Sequence, residues 1–180
     1  MISKYIYSFS FLIILGTFSS NLLWAQKPSN TESLFVRAVK NAKYTTEDGD
    51  TIQMKNGKWI GKPYIPGAAS RPKAYLGEIV LGDLNGDQVK DAVVELLWDG
   101  GGSGTFHYLV AVLNEQGWAR SLNATPLGDR IKIEAIKIVK DEVEVIYLTS
   151  EHKQQPLSSK SKELIKAQFR LQDDKLVQVK

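Results

Sequence analysis

The feature that most constrains the fold of this chain is a succession of short apolar runs between residue 75 and the C-terminus. Several of these runs alternate apolar and polar residues, which is the pattern of strands with one buried face, and others are almost continuously apolar. The runs lie at residues 75–82, 92–98, 106–113, 131–139, 143–149, 163–171 and 176–179. Their short connections leave no room for helical crossovers, so we expect a mostly antiparallel sheet.

Turn-forming residues separate several of these runs. Residues 114–117 and 173–174 supply Asn, Asp and Gly at turn positions, and residues 139–142 join two runs closely enough for a hairpin. The alternation slips by one residue between Ile133 and Ile136, so we predict a β-bulge near Glu134 and Ala135.

The segment before residue 75 predicts one helix and a few short strands. Asn30 or Thr31 can cap a helix that ends near Lys43. Its apolar positions recur at helical spacing and are Leu34, Phe35, Ala38, Val39 and Ala42. Residues 44–61 contain the turn signals Asp48-Gly49 and Asn56-Gly57, which favour a β-meander, and residues 62–72 form a proline-rich loop.

These patterns together predict an α+β fold that is mainly β. We expect the N-terminal helix to pack on a mostly antiparallel sheet or on a small β-sandwich or barrel.

The first 25 residues have the order of a secretory signal peptide, with Lys4 ahead of an apolar run and small and polar residues after it. We expect cleavage after Ala25. The position three residues before that cut is large, so a cut after Ser19, or retention as a membrane anchor, stays open. The chain has no cysteine and therefore no lipoprotein-type anchor. We expect a secreted or periplasmic protein that meets a membrane only through an uncleaved leader.

Composition limits the partners that the mature chain could have. Lys4 is the only charged residue of the leader, so the remaining chain carries 22 basic and 20 acidic residues. This balance argues against a nucleic-acid surface. Residues 26–180 have the length of a single β-rich domain, and no disulfide can stabilise it, because cysteine is absent.

Residues 83–91 carry the most specific chemical pattern. Asp83, Asn85 and Asp87 stand two residues apart, Val89 follows, and Asp91 occupies the ninth position. Calcium takes about six to eight oxygen ligands. A tightly wound loop can direct the side chains of its first, third, fifth and ninth residues inward, while the seventh residue offers its backbone carbonyl. The pattern therefore predicts a calcium-binding loop. A metal-free turn rich in Asp and Asn is the alternative.

This stretch, "DLNGDQVKD" followed by "AVVEL", resembles the calcium loops of FG-GAP and VCBS-type repeats and, in its first half, those of dockerins and EF-hands. The resemblance implies one structural calcium ion. Its ligands would be the side chains of Asp83, Asn85, Asp87 and Asp91 and the carbonyl of Val89. Those loops have glycine at the sixth position, where Gln88 stands here, and a positive φ at a non-glycine residue costs about 1 kcal/mol or more. An EF-hand also needs Glu on a helix at the twelfth position, where this chain has Val94 in an apparent strand, so an EF-hand is excluded.

A longer resemblance covers residues 34–180. The order "GDLNGD", "GGSGTFHYLVAVL" and "LGDRIKI" is similar to exported bacterial proteins of unknown function that carry one such loop in a small β-rich domain. This similarity implies a fold and export, and it implies no activity. A single loop argues against a β-propeller, which needs several repeats.

Other chemistry finds weaker support in the sequence. The glycine-rich residues 100–104 match neither a phosphate-binding loop nor a nucleophile elbow, and we expect a hairpin connection there. His107 and His152 have no spaced metal-ligand partners. A paired-carboxylate glycosidase site built from Glu78, Glu95 and Asp99 stays open. The side chains of Trp59, Trp98 and Trp118 could stack on a sugar, although core packing is the commoner role.

Three functions follow as hypotheses. The first is a non-enzymatic binding or structural module of the bacterial envelope with one calcium loop, whose partner would be an envelope protein or a glycan. The second is a cell-wall or glycan hydrolase that uses carboxylates. The third is a metal-free protein-interaction module.

Overall fold

The computed structural model describes residues 30–46, 49, 51–150 and 162–180. The predicted leader, Asp48 of the first turn signal and the polar segment 151–161, including His152, lie outside the described residues. Within the described part the protein is mainly β, with antiparallel sheets, one short helix and no closed barrel. None of the described helical segments is long and apolar enough to cross a membrane.

One helix precedes twelve strands in the described part of the chain. They are α1 (Asn30–Val39), β1 (Lys43–Thr45), β2 (Thr51–Gln53), β3 (Lys58–Ile60), β4 (Lys73–Gly82), β5 (Asp91–Asp99), β6 (Phe106–Glu115), β7 (Trp118–Ser121), β8 (Thr125–Asp129), β9 (Lys132–Val139), β10 (Glu142–Ser150), β11 (Lys162–Gln172) and β12 (Lys175–Gln178).

The larger sheet has the strand order β3-β4-β5-β6-β7, and β8 pairs with a further part of β6. All of its pairs are antiparallel. Strands β5 and β6 lie at its centre, where residues 91–96 of β5 are all buried. The predicted hairpin through residues 100–105 is confirmed by the β5–β6 pairing. In β4 the register shifts between Leu76 and Ile79, so that two residues bulge opposite Glu95.

The second sheet has the order β12-β11-β10-β9 and is antiparallel throughout. Its hairpins use the turns predicted at residues 139–142 and 173–174. Ile146 pairs with Ala135 whereas Tyr147 pairs with Ile133, so Glu134 has no partner in the register. This shift confirms the predicted bulge.

Two clusters of buried side chains hold these elements together. The first joins α1 and the β1–β2 pair to one face of the larger sheet; it includes Phe35, Val39, Tyr44, Val94 and Leu96. The second lies between the opposite face of that sheet and the four-stranded sheet; it includes Val93, Leu109, Val143, Phe169 and Leu176. Because alternate residues of β5 enter different clusters, the strand is buried on both faces, and such burial is the main stabilising term in a chain without disulfides.

The prediction that the helix ends near Lys43 is wrong, since α1 ends at Val39. The helix ends there because residues that follow it donate hydrogen bonds to the carbonyl groups at and just beyond its C-terminal end. Gly57 donates its N–H to the carbonyl of Lys40, Met54 donates to that of Ala42, and the Tyr44 hydroxyl donates to that of Val39. Ala42 is buried as the apolar spacing suggested, although it lies outside the helix.

The predicted β-meander over residues 44–61 is only partly correct. β1 pairs with β2, and the tight turn at Asn56-Gly57 is present with positive φ at both residues. The third strand, however, pairs with β4 in the larger sheet. Strands β7 and β8 were not predicted. β7 has only four residues, and Pro126 and Gly128 interrupt the alternation in β8.

Candidate functional site

The acidic loop connects the end of β4 to the start of β5, and Asp83 organises its first turn. The Asp83 carboxylate accepts the N–H groups of Asn85, Gly86 and Gln88 at 3.2, 2.7 and 2.9 Å. These three bonds require the backbone to wind around one side chain. The loop therefore has a defined conformation that depends on a carboxylate at its first position.

The next two polar residues continue this winding. Asn85 Oδ1 accepts the N–H of Asp87 at 3.0 Å, and Asp87 Oδ1 accepts the N–H of Val89 at 2.8 Å. The two side chains also meet directly, because Asn85 Nδ2 donates to Asp87 Oδ2 at 3.0 Å. Gln88 has a φ of 67°, which is the left-handed conformation expected of the sixth position. This conformation is less favourable for glutamine than for glycine, because glycine has no Cβ atom.

Asp91, the ninth residue of the loop, is fully buried as the first residue of β5. Its Oδ2 accepts the N–H of Leu84 at 3.1 Å, and its Oδ1 accepts the N–H of Asn114 at 2.9 Å. Asn114 in turn donates from Nδ2 to the carbonyl of Lys90. One buried carboxylate thus ties the acidic loop to the end of β6.

The two end carboxyl groups of the loop have opposite pKa shifts. The pKa of Asp83 is lowered, chiefly by the N–H of Gln88. The pKa of Asp91 is raised, first by its burial, although the N–H groups of Asn114 and Leu84 oppose that effect. The charges of Asp87 and Asp83 raise it further. A cation bound beside these carboxylates would reverse the sign of that last effect.

The donor set of the loop suits a hard cation, since every candidate side chain offers oxygen. Asp83, Asn85 and Asp87 lie around one turn, and the two oxygens of a carboxylate provide about four lone-pair positions, so these backbone bonds leave acceptor capacity. Asp91 differs from these residues in being fully buried, and its two oxygens accept the N–H groups of Leu84 and Asn114. Over the described ranges, no three His, Cys, Asp or Glu side chains form a group that could hold a metal ion. Calcium would therefore depend on Asn85, on backbone carbonyls and on water as well as on carboxylates.

An open groove of about 840 Å³ adjoins this loop, between α1 and the β6–β7 turn. Leu34 of the helix, Val89 of the loop and Trp118 of β7 line it, together with Asp87 and Gln116. The three apolar side chains are 51%, 42% and 79% exposed, respectively. On the loop side, Lys90 forms an ion pair with Glu32 of the helix. The acidic loop is therefore one wall of a groove that presents an exposed tryptophan.

A buried polar pair lies elsewhere in the larger sheet and was not predicted as a unit. His107 Nδ1 and Glu95 Oε1 are 2.8 Å apart, and both residues are less than one-tenth exposed. The other oxygen of Glu95 accepts the N–H of Glu78 in the β4 bulge. Gly77 makes room for this carboxylate, since a Cβ there would lie 2.8 Å from Glu95 Cδ. Diagonal contacts across paired strands depend on register, which local sequence does not reveal.

The remaining candidate residues are engaged in local structure. Asp99 accepts the N–H of Gly101 in the connection between β5 and β6. Trp59 and Trp98 stack on each other with ring centroids 5.6 Å apart and pack against the first cluster. Trp118 lies apart from that stack, in the groove wall. The carboxylates of Glu95 and Asp99 are thus hydrogen-bonded within the larger sheet and its β5–β6 connection, and Trp118 is the exposed aromatic residue of the groove.

No protein-family model, no curated protein and no solved structure matches this chain.

Proposed function

We propose that this protein is a non-enzymatic exported module of the bacterial envelope, in which one calcium ion stabilises the loop at residues 83–91. We further propose a small β-sandwich with a helix on its outer face as its architecture. The ligands would be Asp83, Asn85, Asp87 and Asp91 with the carbonyl of Val89. Calcium would supply charge neutralisation among carboxylates that otherwise repel one another.

The observation that carries the proposal is the winding of the loop around Asp83 with a positive φ at Gln88. A chain adopts a left-handed conformation at a glutamine only where other interactions outweigh the cost, which is about 1 to 2 kcal/mol. Three N–H groups directed at one carboxylate supply part of that compensation. A cation shared by the neighbouring oxygens would supply more.

The position of the loop suggests what the ion would be for. The loop forms a wall of the groove that contains Trp118, so an ion that fixes Asp87 and Val89 also fixes the shape of that groove. An exposed tryptophan beside carboxylate and amide groups suits a glycan, because its ring can pack on the apolar face of a sugar. We therefore place glycan or protein binding, and not hydrolysis, at this groove.

Thermal melting in calcium and in chelator tests the metal. A ligand at about 100 times its dissociation constant adds roughly 2.7 kcal/mol to the free energy of unfolding. In a domain of this size we expect the melting temperature to rise by about 5 to 11 °C. The variant Asp87→Asn keeps the acceptor for Val89, but it removes one charge and the acceptor for Asn85 Nδ2. It should therefore lose most of the rise in melting temperature on adding calcium.

A matched control is Asp173→Asn, which makes the same change of charge in an exposed turn with φ of 50°. This variant should keep the full calcium response. Equal melting temperatures in calcium and chelator for the parent chain would refute the proposed metal. An equal response in the Asp87 and Asp173 variants would refute the site.

A further inference from the structure

We propose that the end of the molecule opposite the acidic loop docks on an anionic lipid surface through the loop at residues 61–72. This inference is independent of the proposed calcium site. It rests on the shape of this loop, on the exposure of Tyr64 and Ile65 at its tip and on the basic residues of the loop and of the adjoining strands.

The loop connects β3 to β4 and has a defined conformation. Gly61 donates its N–H to the carbonyl of Pro72 at 2.9 Å, which closes the base. Ala68 donates to the carbonyl of Ile65 at 3.1 Å, and Gly67 between them has a φ of 82°. Proline followed by a glycine with positive φ is typical of a type II turn. The tip is thus held in place before any partner arrives, so little conformational entropy is lost on docking.

The tip carries apolar side chains that point into solvent. Tyr64 and Ile65 are 69% and 71% exposed, and Ile60 at the edge of the larger sheet is 57% exposed. Tyrosine has an apolar ring and a polar hydroxyl, which suits the boundary between lipid and water. Two adjacent side chains of this kind are a small apolar area. A stable protein interface needs about 800 Å² from each partner, whereas binding to a bilayer can combine a small inserted apolar area with electrostatic attraction to anionic lipids.

The chain segment that carries the tip is basic. Residues 51–77 contain five basic residues and no acidic residue; the basic residues are Lys55, Lys58, Lys62, Arg71 and Lys73. In the part of the chain that the structure describes, none of these five has an ion-pair partner. Basic residues in the loop and in the strands at its base, together with an apolar tip, are complementary to anionic headgroups above an acyl layer.

Two carboxylates at this end offset only part of that charge. Asp99 lies opposite Lys73 in the register and also accepts the N–H of Gly101, so it balances one of the basic residues. Asp129 forms an ion pair with Arg130 and accepts the N–H of Thr105. The Ser70 hydroxyl donates to the carbonyl of Gly101, so the loop at residues 61–72 contacts the connection between β5 and β6.

Co-sedimentation with vesicles tests the proposal. The chain, with whatever leader it retains, is mixed at low salt with vesicles of phosphatidylcholine alone or with phosphatidylglycerol added. We expect binding that requires phosphatidylglycerol and that is lost at about 1 M salt, where the screening length falls to roughly 3 Å. Each variant is compared with the parent chain, so any contribution from residues 1–29 is common to both.

Two double variants separate charge from insertion. Lys62→Gln with Arg71→Gln should weaken binding about thirtyfold, at about 1 kcal/mol for each basic residue near the surface. Tyr64→Ser with Ile65→Ser should weaken it at least about tenfold through lost apolar burial. Neither pair should change the melting temperature, because all four side chains are exposed.

The matched control is Lys137→Gln with Lys175→Gln, which removes the same charge from exposed positions of the four-stranded sheet. It should bind like the parent chain within about threefold. No binding to phosphatidylglycerol vesicles would overturn the proposal, and so would an equal loss in the control. Undiminished binding by the Tyr64 and Ile65 variant would also overturn it, since that result describes a general polyanion surface.

Discussion

Removal of the Asp91 side chain should strongly destabilise the protein even without metal. In the native state its two oxygens accept the N–H groups of Leu84 and Asn114, and the residue is fully buried. The variant Asp91→Ala leaves two donors without acceptors. Each unsatisfied buried group costs about 1 to 3 kcal/mol. Relief of the buried charge offsets part of this cost, so we expect a net loss of about 2 to 4 kcal/mol.

The assay is denaturant unfolding in the presence of chelator, with thermal melting as a second measurement. In a domain of this size the expected loss lowers the melting temperature by about 5 to 15 °C. Asp91→Asn keeps one acceptor oxygen and should lose less, about 1 to 3 kcal/mol. The control is Asp174→Ala, at an exposed turn whose carboxylate lies 4.0 Å from its ion-pair partner. It should change the free energy of unfolding by less than about 0.5 kcal/mol. If Asp91→Ala is as stable as this control, the carboxylate does not hold the loop to β6.

Three further predictions concern single residues. Gln88→Gly should raise the free energy of unfolding by up to about 1 kcal/mol, measured from denaturant midpoints in chelator, because its φ of 67° suits glycine; a loss of stability would contradict this reasoning. Gly77→Ala should cost about 1 to 3 kcal/mol by displacing the Glu95 carboxylate, whereas Gly102→Ala, which meets nothing within 4 Å, should be neutral in the same measurement. The pKa of Asp91 is raised in the folded state above its ordinary value of 3.8. The contribution of Asp91 to the free energy of unfolding is therefore greatest at a pH below this ordinary value, and it declines as the pH rises through the raised pKa. The difference in stability between the parent chain and Asp91→Asn, measured in chelator from pH 3 upward, should fall accordingly, and an increase over that window would be the wrong sign.

The candidate loop could be predicted further than most of the molecule because its geometry is local. Each bond of Asp83, Asn85 and Asp87 within the loop joins residues at most five apart. The spacing of Asp83, Asn85 and Asp87 indicated a wound loop, and the resemblance to calcium loops implied a positive φ at the sixth position, where Gln88 has a φ of 67°. The role of Asp91 in binding the end of β6 could not be predicted, since its partner Asn114 lies 23 residues away.

The sequence by itself determined the β character of this protein, its hairpins and the bulge at Glu134, because alternation and turn residues act over a few neighbours. Tertiary structure decided where the helix stops, which sheet β3 joins and that the broken segment at residues 118–129 forms two strands. It also decided the burial of Glu95 with His107 and the location of the 61–72 loop at the end opposite the acidic loop. These outcomes depend on strand pairing and burial between distant residues, whose free energies outweigh local preference.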